Sequence, residues 1–179
     1  ATPTRSLPDV AFIQFTSGST GDPRGVVVTR AALNAQLGQL HAGMGVLPTD
    51  AAVSWLPLFH DMGLVGGLLL PFAYGLPVTL LSPLSFLLRP ARWLQAISRS
   101  RATLSAAPSS AYALCAAKAR AADLEGVDLS CWRVALDGAE AVRPEAIDAF
   151  SARMAPYGFR ADAFMPAYGL AESTLAVTM

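Results

Sequence analysis

Charged side chains are scarce in this sequence, and their scarcity excludes several classes of protein. They make up 15% of the 179 residues, whereas ordinary globular domains carry about 25%. The 13 basic and 13 acidic side chains cancel, so the basic surface typical of nucleic-acid-binding proteins and of polybasic membrane patches is missing. Hydrophobic residues make up 53%, which is enough to bury a large core and excludes an intrinsically disordered chain.

Cysteine is also rare. Cys115 and Cys131 are the two cysteines, and neither lies in a CxxC pair or in a His/Cys cluster typical of metal sites. Free cysteine is usually buried, and unpaired thiols are typical of reducing compartments. We therefore expect two buried side chains in a cytoplasmic protein.

One long stretch has no charge at all. No Asp, Glu, Lys or Arg occurs in residues 62–88, a length sufficient to cross a bilayer as a helix. Pro71, Pro77 and Pro83 interrupt the stretch, and a proline inside a helix costs about 3 kcal/mol. We therefore predict a buried helix followed by a buried strand, and no membrane-spanning helix.

The rest of the chain alternates predicted strands with predicted helices. Residues 10–16 and 25–29 are predicted to pair as an antiparallel hairpin, after which Thr29 caps a helix. Later strands alternate with helices, which predicts an α/β fold with a mainly parallel β-sheet flanked by helices. These strands are 51–58, 77–81, 102–108, 132–138 and 161–169, and the helices are 62–74, one from Pro90, 110–122 and one from Pro144.

The carboxyl ends of parallel strands are where such sheets bind ligands. This rule predicts a binding site in the loops that follow the predicted strands. The loops are 56–63, 105–110, 136–142 and 166–173.

A segment rich in Thr, Ser and Gly, TSGSTGDPRG (16–25), joins the two hairpin strands. Gly18 and Gly21 allow successive backbone N–H groups to face one anion, and the guanidinium of Arg24 suits phosphate oxygens. The segment is not a Walker A loop, because Pro-Arg stands where that loop has Gly-Lys. Composition alone leaves two interpretations open, a mobile hairpin tip and a phosphate-binding loop.

The order of residues in this segment resembles the phosphate loop of the adenylate-forming superfamily, which includes acyl-CoA synthetases, peptide-synthetase adenylation domains and luciferases. That loop reads Thr-Ser-Gly-Ser/Thr-Thr-Gly-x-Pro-Lys-Gly-Val, and Arg24 stands here in place of the Lys. Three later segments resemble motifs of the same superfamily, in the same order along the chain. They are WLPLFHDMGL (55–64), LDGAEAV (136–142) and YGLAES (168–173).

Within the superfamily the chain is most similar to the fatty acyl-AMP ligases, which RPARWLQAISR (89–99) and DLSCWRVALDGAE (128–140) also resemble. That branch uses ATP to convert a fatty acid to an acyl-adenylate, then passes the acyl group to an acyl carrier protein. Ala171 agrees with this branch, where the wider superfamily has Thr. Asp137 and Ala141 differ from the Asn and Pro that are frequent in it.

The resemblance implies a role for the residues of each motif. His60, Arg24 and Glu172 would be catalytic, and Glu172 would bind Mg²⁺. The nucleotide would be bound by Thr16, Ser17, Gly18, Ser19, Thr20, Gly21, Arg24, Gly138, Ala139, Glu140, Ala141, Tyr168, Gly169, Leu170 and Ala171. The acyl chain would be bordered by Trp55, His60, Met62, Gly63, Ala106, Ala107 and Pro108.

Taken one at a time, these residues have other interpretations. Glu172 suits a helix N-terminus, Glu140 suits a wall or structural position, and His60 suits a satisfied core histidine. Asp61 could orient the imidazole of His60 or cap the next helix, and we favour the cap. His41 is interpreted as a surface or core residue.

The resemblance also bears on the extent of the chain. It implies that residues 1–179 are part of a large N-terminal AMP-binding domain, with the remainder of that domain and a C-terminal domain outside this sequence. Three functions stay open: a fatty acyl-AMP ligase, a fatty acyl-CoA ligase and a non-catalytic nucleotide-binding scaffold. Arg24 and Ala141 are the residues that favour the scaffold.

Overall fold

A five-stranded parallel sheet forms the centre of the fold in the computed structural model, which describes residues 9–16 and 24–179. Its strand order is β4-β3-β5-β6-β7, and the predicted α/β class is confirmed. The strands are β1 (Val10–Thr16), β2 (Arg24–Thr29), β3 (Ala52–Ser54), β4 (Val78–Leu80), β5 (Leu104–Ala107), β6 (Val134–Asp137), β7 (Phe164–Pro166), β8 (Tyr168–Gly169) and β9 (Ala176–Thr178). The α-helices are α1 (Arg30–Gly43), α2 (Leu70–Ala73), α3 (Pro83–Leu88), α4 (Ala91–Ser100), α5 (Ser109–Lys118) and α6 (Pro144–Met154).

The predicted hairpin forms outside the main sheet. Strands β1 and β2 pair in antiparallel fashion, and α1 begins directly after β2. The N–H of Ala32 donates to Thr29 Oγ1 at 3.1 Å, which confirms Thr29 as the cap because its hydroxyl satisfies an otherwise free helix N–H group. Strands β8 and β9 form a second, smaller antiparallel pair.

Neighbouring residues of each central strand pack against different layers, as the period of a β-strand requires. Ala52 and Val134 pack in a hydrophobic cluster with α1 and α2. Val53 and Ala135 pack on the other side of the sheet in a larger cluster with α4, α5 and α6. The centre of that larger cluster is aromatic, with Trp93, Tyr112, Trp132, Phe150 and Phe159 in mostly edge-to-face contacts.

The uncharged stretch begins with a π-helix, Met62–Leu69, that continues into α2. The N–H of Leu70 donates to the carbonyl of Val65, five residues back. Gly67 packs tightly on the sheet, because a Cβ there would lie 2.5 Å from Ser54 Oγ. Across residues 9–16 and 24–179, no helix has the length and apolar character needed to cross a membrane.

Several predicted strands are shorter than the apolar pattern indicates. Only Ala52–Ser54 of the predicted strand 51–58 pairs in the sheet, since Trp55 turns into the aromatic core and stacks on Phe86. The strand predicted at 161–169 forms only in part: residues 164–166 are β7 of the sheet, a 3₁₀ turn precedes them, and β8 pairs separately with β9. Pro166 ends β7 because it has no N–H to donate to a strand ladder.

Two further expectations need correction. Strand β4 lies at the edge of the sheet and Leu80 is 48% exposed, so the predicted burial of this strand is wrong. Cys115 is buried but Cys131 is only partly buried, and both are free thiols. The sequence prediction also missed α3. Its signals were Pro83 in the first turn and Ser82 as N-cap, whose hydroxyl oxygen accepts the N–H of Ser85 at 3.1 Å.

Candidate functional site

A single cavity of about 600 Å³ brings the predicted motifs together. Its lining includes Ser54, the last residue of β3, and Gly138 and Ala167, which directly follow β6 and β7, as the rule for parallel sheets predicts. The site residues in its wall are Thr16, His60, Met62, Ala106, Gly138, Ala139, Tyr168, Gly169, Leu170, Ala171 and Glu172.

The ends of the predicted phosphate loop lie beside this cavity. Thr16 and Arg24 are paired across the hairpin, and Thr16 Oγ1 lies 3.5 Å from the carbonyl oxygen of Arg24. The residues between them, including Ser17, Gly18, Ser19, Thr20 and Gly21, lie outside the described residues. Strand β2 contacts the 3₁₀ turn Ala171–Ser173, so Arg24 and Glu172 belong to neighbouring elements.

His60 and Asp61 form a pair at the cavity wall. The Nδ1 atom of His60 lies 2.8 Å from Asp61 Oδ1, and this hydrogen bond raises the pKa of His60 above its ordinary value. The same carboxylate oxygen accepts the N–H of Met62 at 2.6 Å. Asp61 therefore does both things that the sequence left open: it holds the imidazole and caps the π-helix.

Gln14 is a site residue that sequence reasoning missed. It is only 7% exposed, although its neighbours Ile13 and Phe15 are 53% and 66% exposed. Its Nε2 donates to the carbonyl of Phe59 at 2.6 Å, which ties β1 to the loop that carries His60. The available signal was a polar residue, Gln14, between two apolar residues of a predicted strand. A polar side chain that is buried in a strand usually makes a hydrogen bond.

The loop after β6 is held by hydrogen bonds on the side away from the cavity. Asp137 is fully buried and accepts a hydrogen bond from Ser109 Oγ at 2.6 Å. Burial raises the pKa of Asp137 because desolvation disfavours the charged carboxylate. Ala139 has a left-handed φ of 68°, a strained conformation for a residue other than glycine that neighbouring contacts must maintain.

Glu140 and Ala141 do not line the cavity with the two residues before them. The carboxylate of Glu140 accepts the N–H of Ser110 at 3.1 Å and its hydroxyl hydrogen at 2.8 Å. This places Glu140 over the N-terminus of α5, where a carboxylate is favoured by the helix dipole. Its position agrees with the structural role that the residues alone suggest, and Ala141 is exposed.

The Tyr168–Glu172 segment supplies one long side of the wall. Gly169 lies against the backbone of Leu175, where any Cβ would collide with the Leu175 carbonyl. The side chains of Tyr168 and Glu172 are exposed. Asp61 and Glu172 are the carboxylates of the lining, and no group of three His, Cys, Asp or Glu side chains is assembled within residues 9–16 and 24–179.

This donor set fits Mg²⁺ better than a metal that needs a complete protein cage. Mg²⁺ is usually bound by one or two carboxylates together with water and substrate phosphates. Glu172 offers one carboxylate at the cavity wall, on the turn that contacts β2.

Four of the predicted acyl-binding residues lie away from the cavity wall. Trp55 stacks on Phe86 with ring centres 3.8 Å apart, and Ala107 belongs to the core on the other side of the sheet. Gly63 packs on the backbone carbonyl of Pro57, while Pro108 precedes α5. His60, Met62 and Ala106 do line the cavity.

The apolar interior of the cavity comes from residues that the sequence analysis did not select. They include Leu40 and Met44 from α1 and its C-terminal cap, and the first residues of β3, β5 and β6, which are Ala52, Leu104 and Val134. These residues pack in one hydrophobic cluster. They are far apart in the chain, so no local motif could have indicated them.

The chain is similar to known ligases over nearly its whole length. JamA, a medium-chain-fatty-acid–acyl-carrier-protein ligase of Moorena producens, is 46% identical over 94% of this chain and 28% of its own length. FadD21 of Mycobacterium tuberculosis, which carries the name of a fatty-acid–CoA ligase, is 45% identical over 97% of this chain and 31% of its own length.

Solved structures have the same fold. The fatty acyl-adenylate ligase of L. pneumophila, crystallised with acyl adenylate and pyrophosphate, matches with a TM-score of 0.92 and 43% identity, covering 95% of this chain and 30% of that one. The chain thus spans about a third or less of the length of these relatives. Residues 1–179 match the family model of the AMP-binding enzymes, and the chain belongs to that family.

Proposed function

We propose that the full-length protein activates a fatty acid with ATP, forming an acyl-adenylate and pyrophosphate, and transfers the acyl group to an acyl carrier protein. Residues 1–179 would form part of its N-terminal AMP-binding domain. The two free cysteines agree with a cytoplasmic enzyme.

The observation that carries this proposal is the two-part character of the cavity. One part lies at the carboxyl ends of the strands and presents the polar groups of His60, Asp61 and Glu172. The other part lies along the sheet and is apolar, with Leu40 and Val134 in its lining. A site with these two parts suits a substrate that has a charged head and a hydrocarbon chain.

The reaction joins two anions, because a fatty carboxylate is ionised at neutral pH and must approach the α-phosphorus of ATP. Catalysis of such a step depends on positioning and on stabilising negative charge. Arg24, with the loop that precedes it, would hold the β- and γ-phosphates. Glu172 would hold Mg²⁺, which supplies positive charge at the phosphate oxygens when it is bound.

His60 would border the substrate carboxylate at the junction of the two parts of the cavity. A general base is not needed for an acid that is already ionised. Because the Asp61 hydrogen bond raises the pKa of His60, the imidazole carries a positive charge over a wider pH range than an isolated histidine does. A cation at this position would attract and orient the acid.

The acceptor of the acyl group has two candidates. Similarity to JamA, by name an acyl-carrier-protein ligase, favours the carrier protein, and the 43% identical acyl-adenylate ligase structure agrees. Similarity to FadD21, by name a CoA ligase, keeps coenzyme A as the alternative.

The decisive experiment measures pyrophosphate release by the full-length protein supplied with ATP, Mg²⁺ and a series of saturated fatty acids. Release that depends on the fatty acid is expected, together with an acyl-adenylate that hydroxylamine traps. Glu172→Gln should slow the release strongly, whereas Glu145→Gln, a matched change on the exposed first turn of α6, should not. Absence of release with every acid would contradict the proposal.

The acceptor is tested in the same preparation by competition. Phosphopantetheinylated acyl carrier protein and coenzyme A are offered together, and the acylated products are separated. Acyl carrier protein should be the main product, and efficient acyl-CoA formation would establish the alternative. Titration of the full-length protein with Mg-ATP tests the scaffold interpretation, which failure to bind the nucleotide would favour.

A further inference from the structure

The apolar part of the cavity extends from the carboxyl end of the sheet to its amino end. Gly138, directly after β6, and Val134, the first residue of β6, both line it. At about 3.3 Å per residue these two positions are about 13 Å apart along the strand. Leu104, the first residue of the adjacent strand β5, lines the same deep end.

Met44 is placed at this deep end. It directly follows α1 as the C-terminal cap residue, it is 8% exposed, and it packs in one cluster with Leu104 and Val134. Its carbonyl oxygen accepts a hydrogen bond from Arg133, the residue just before β6, at 2.9 Å. Met44 therefore lines the deep end of the cavity, in the same cluster as the first residue of β6.

A partly buried polar network, centred on the buried Asp50, keeps this wall in position. Arg133 also donates to the carbonyl of Gly45 at 3.1 Å and to Asp50 Oδ2 at 2.6 Å. Asp50 is 2% exposed, and its carboxylate accepts the N–H of Leu47 at 2.7 Å and the hydroxyl hydrogen of Thr103 at 2.7 Å. Residues 44–50 are thus tied to the starts of β5 and β6, so the backbone of Met44 cannot withdraw to admit a longer ligand.

We propose that Met44 is the specificity-determining residue for acyl-chain length, with Arg133 as the positioning residue that holds it at the end of the cavity. This inference rests on the proposed adenylation of a fatty acid. An acid that fills the space between His60 and Met44 binds well, whereas an acid with further methylene groups meets the thioether side chain. Methionine is flexible, so the limit is set by how far its side chain can yield while its backbone stays fixed.

The test compares kcat/KM for adenylate formation by the full-length protein with octanoic, decanoic, dodecanoic, tetradecanoic and hexadecanoic acids. Met44→Ala shortens the side chain at the deep end and should raise the ratio of hexadecanoic to octanoic acid by about tenfold or more, since one methylene group in a hydrophobic pocket changes selectivity by that order. Met44→Phe adds volume and should lower the same ratio.

Met154→Ala is the matched control. Met154 is fully buried in the hydrophobic cluster on the other side of the sheet, so the substitution removes the same side-chain atoms from a core away from the cavity. It should lower stability without changing the chain-length ratio. An equal shift in Met154→Ala, or an unchanged ratio in an active Met44→Ala or Met44→Phe protein, would overturn the inference.

The same measurements distinguish a failure of the proposed function from a failure of the role of Met44. If the unsubstituted protein forms no adenylate with any acid, the proposed function fails. If it forms adenylates and the two Met44 variants keep its chain-length profile, only the role of Met44 fails.

Arg133→Lys tests the positioning residue. One ammonium group cannot reach both backbone carbonyls and Asp50, so this variant should accept longer acids than the unsubstituted protein. An unchanged chain-length profile would refute the positioning role of Arg133.

Discussion

Ser109 donates its hydroxyl hydrogen to Asp137 at 2.6 Å, and both side chains are fully buried. The same hydroxyl oxygen accepts the N–H of Arg143 at 3.1 Å. The pair therefore joins the end of β6, the start of α5 and the loop that carries Ala139 past the cavity. Asp137 Oδ1 has no hydrogen-bond partner among the described residues. Hydrogen bonds therefore offset only part of the desolvation cost of an ionised Asp137 carboxylate.

Asp137→Asn should stabilise the protein at neutral pH. The folded-state pKa of Asp137 is raised by burial, with Glu140 raising it further and Ser109 and Arg143 opposing. The stability that this carboxyl contributes is therefore full below the ordinary Asp pKa and is lost as the pH rises through the raised value. A permanently neutral amide avoids that loss.

The measurement is the free energy of unfolding by denaturant as a function of pH. The advantage of Asp137→Asn should be largest at neutral pH and should shrink as the solution is made acidic. Asp137→Ala, which leaves the Ser109 hydroxyl unpaired, should be less stable than the Asn variant at every pH. An advantage that grows on acidification would contradict the raised pKa.

Asp61→Asn should lower the pKa of His60. The Asp61 hydrogen bond is the largest contribution that raises this pKa, and its charge adds to it. Without the carboxylate, partial burial of His60 acts alone and favours the neutral imidazole. NMR titration of the His60 ring would show the change, with the signal of His41, which stacks on Tyr74, as the internal reference.

The same substitution should also move the alkaline limb of the pH–rate profile to lower pH. If a protonated His60 orients the acid, the rate in Asp61→Asn should begin to fall at a lower pH than in the unsubstituted protein as the solution becomes alkaline. A profile that stays in place while the NMR titration shifts would mean that the charge of His60 does not assist substrate binding.

Gly67→Ala should destabilise the protein by roughly 1–3 kcal/mol, the usual cost of overpacking. The new methyl group would lie 2.5 Å from Ser54 Oγ and 3.0 Å from its Cβ, so the π-helix would have to move away from β3. Gly38→Ala is the matched control, because Gly38 is on an exposed position of α1 with no atom within 4 Å of the new Cβ.

In that control the substitution should stabilise the helix by about 0.5–1 kcal/mol, since glycine is unfavourable in a helix interior. Thermal or denaturant unfolding of both variants provides the comparison. If Gly67→Ala and Gly38→Ala change the stability to unfolding by similar amounts, the close approach of Gly67 to Ser54 does not exclude a methyl group.

Arg24→Ala should raise the KM for ATP by roughly tenfold to a hundredfold, because a hydrogen bond to a charged group contributes about 1.5–3 kcal/mol. Arg24→Lys keeps the charge but loses the bidentate fork, so a smaller increase is expected. ATP–pyrophosphate exchange at saturating fatty acid measures both. An Arg24→Ala protein with an unchanged KM for ATP would remove Arg24 from the phosphate site.

Local patterns predicted much of the fold. Thr29 was identified as a helix cap from its position before apolar residues at helical spacing, and alternation of strands and helices predicted the parallel sheet. The errors occurred where tertiary contacts override local preference. The sequence pattern predicts Trp55 within a strand, but its side chain stacks on Phe86 outside the sheet. The pattern also predicts that β4 is buried, but β4 lies at the edge of the sheet.

The sequence by itself determined the family, the order of the motifs and the position of the cavity-lining loops after the strands, because these depend on residues that are close together in the chain. Only the tertiary structure decided which apolar residues enclose the cavity. Met44, Leu104 and Val134 meet because α1 packs across the amino ends of β5 and β6, where Arg133 secures the contact. Burial of apolar surface from distant segments has no sequence motif, since many arrangements of the same residues could satisfy it.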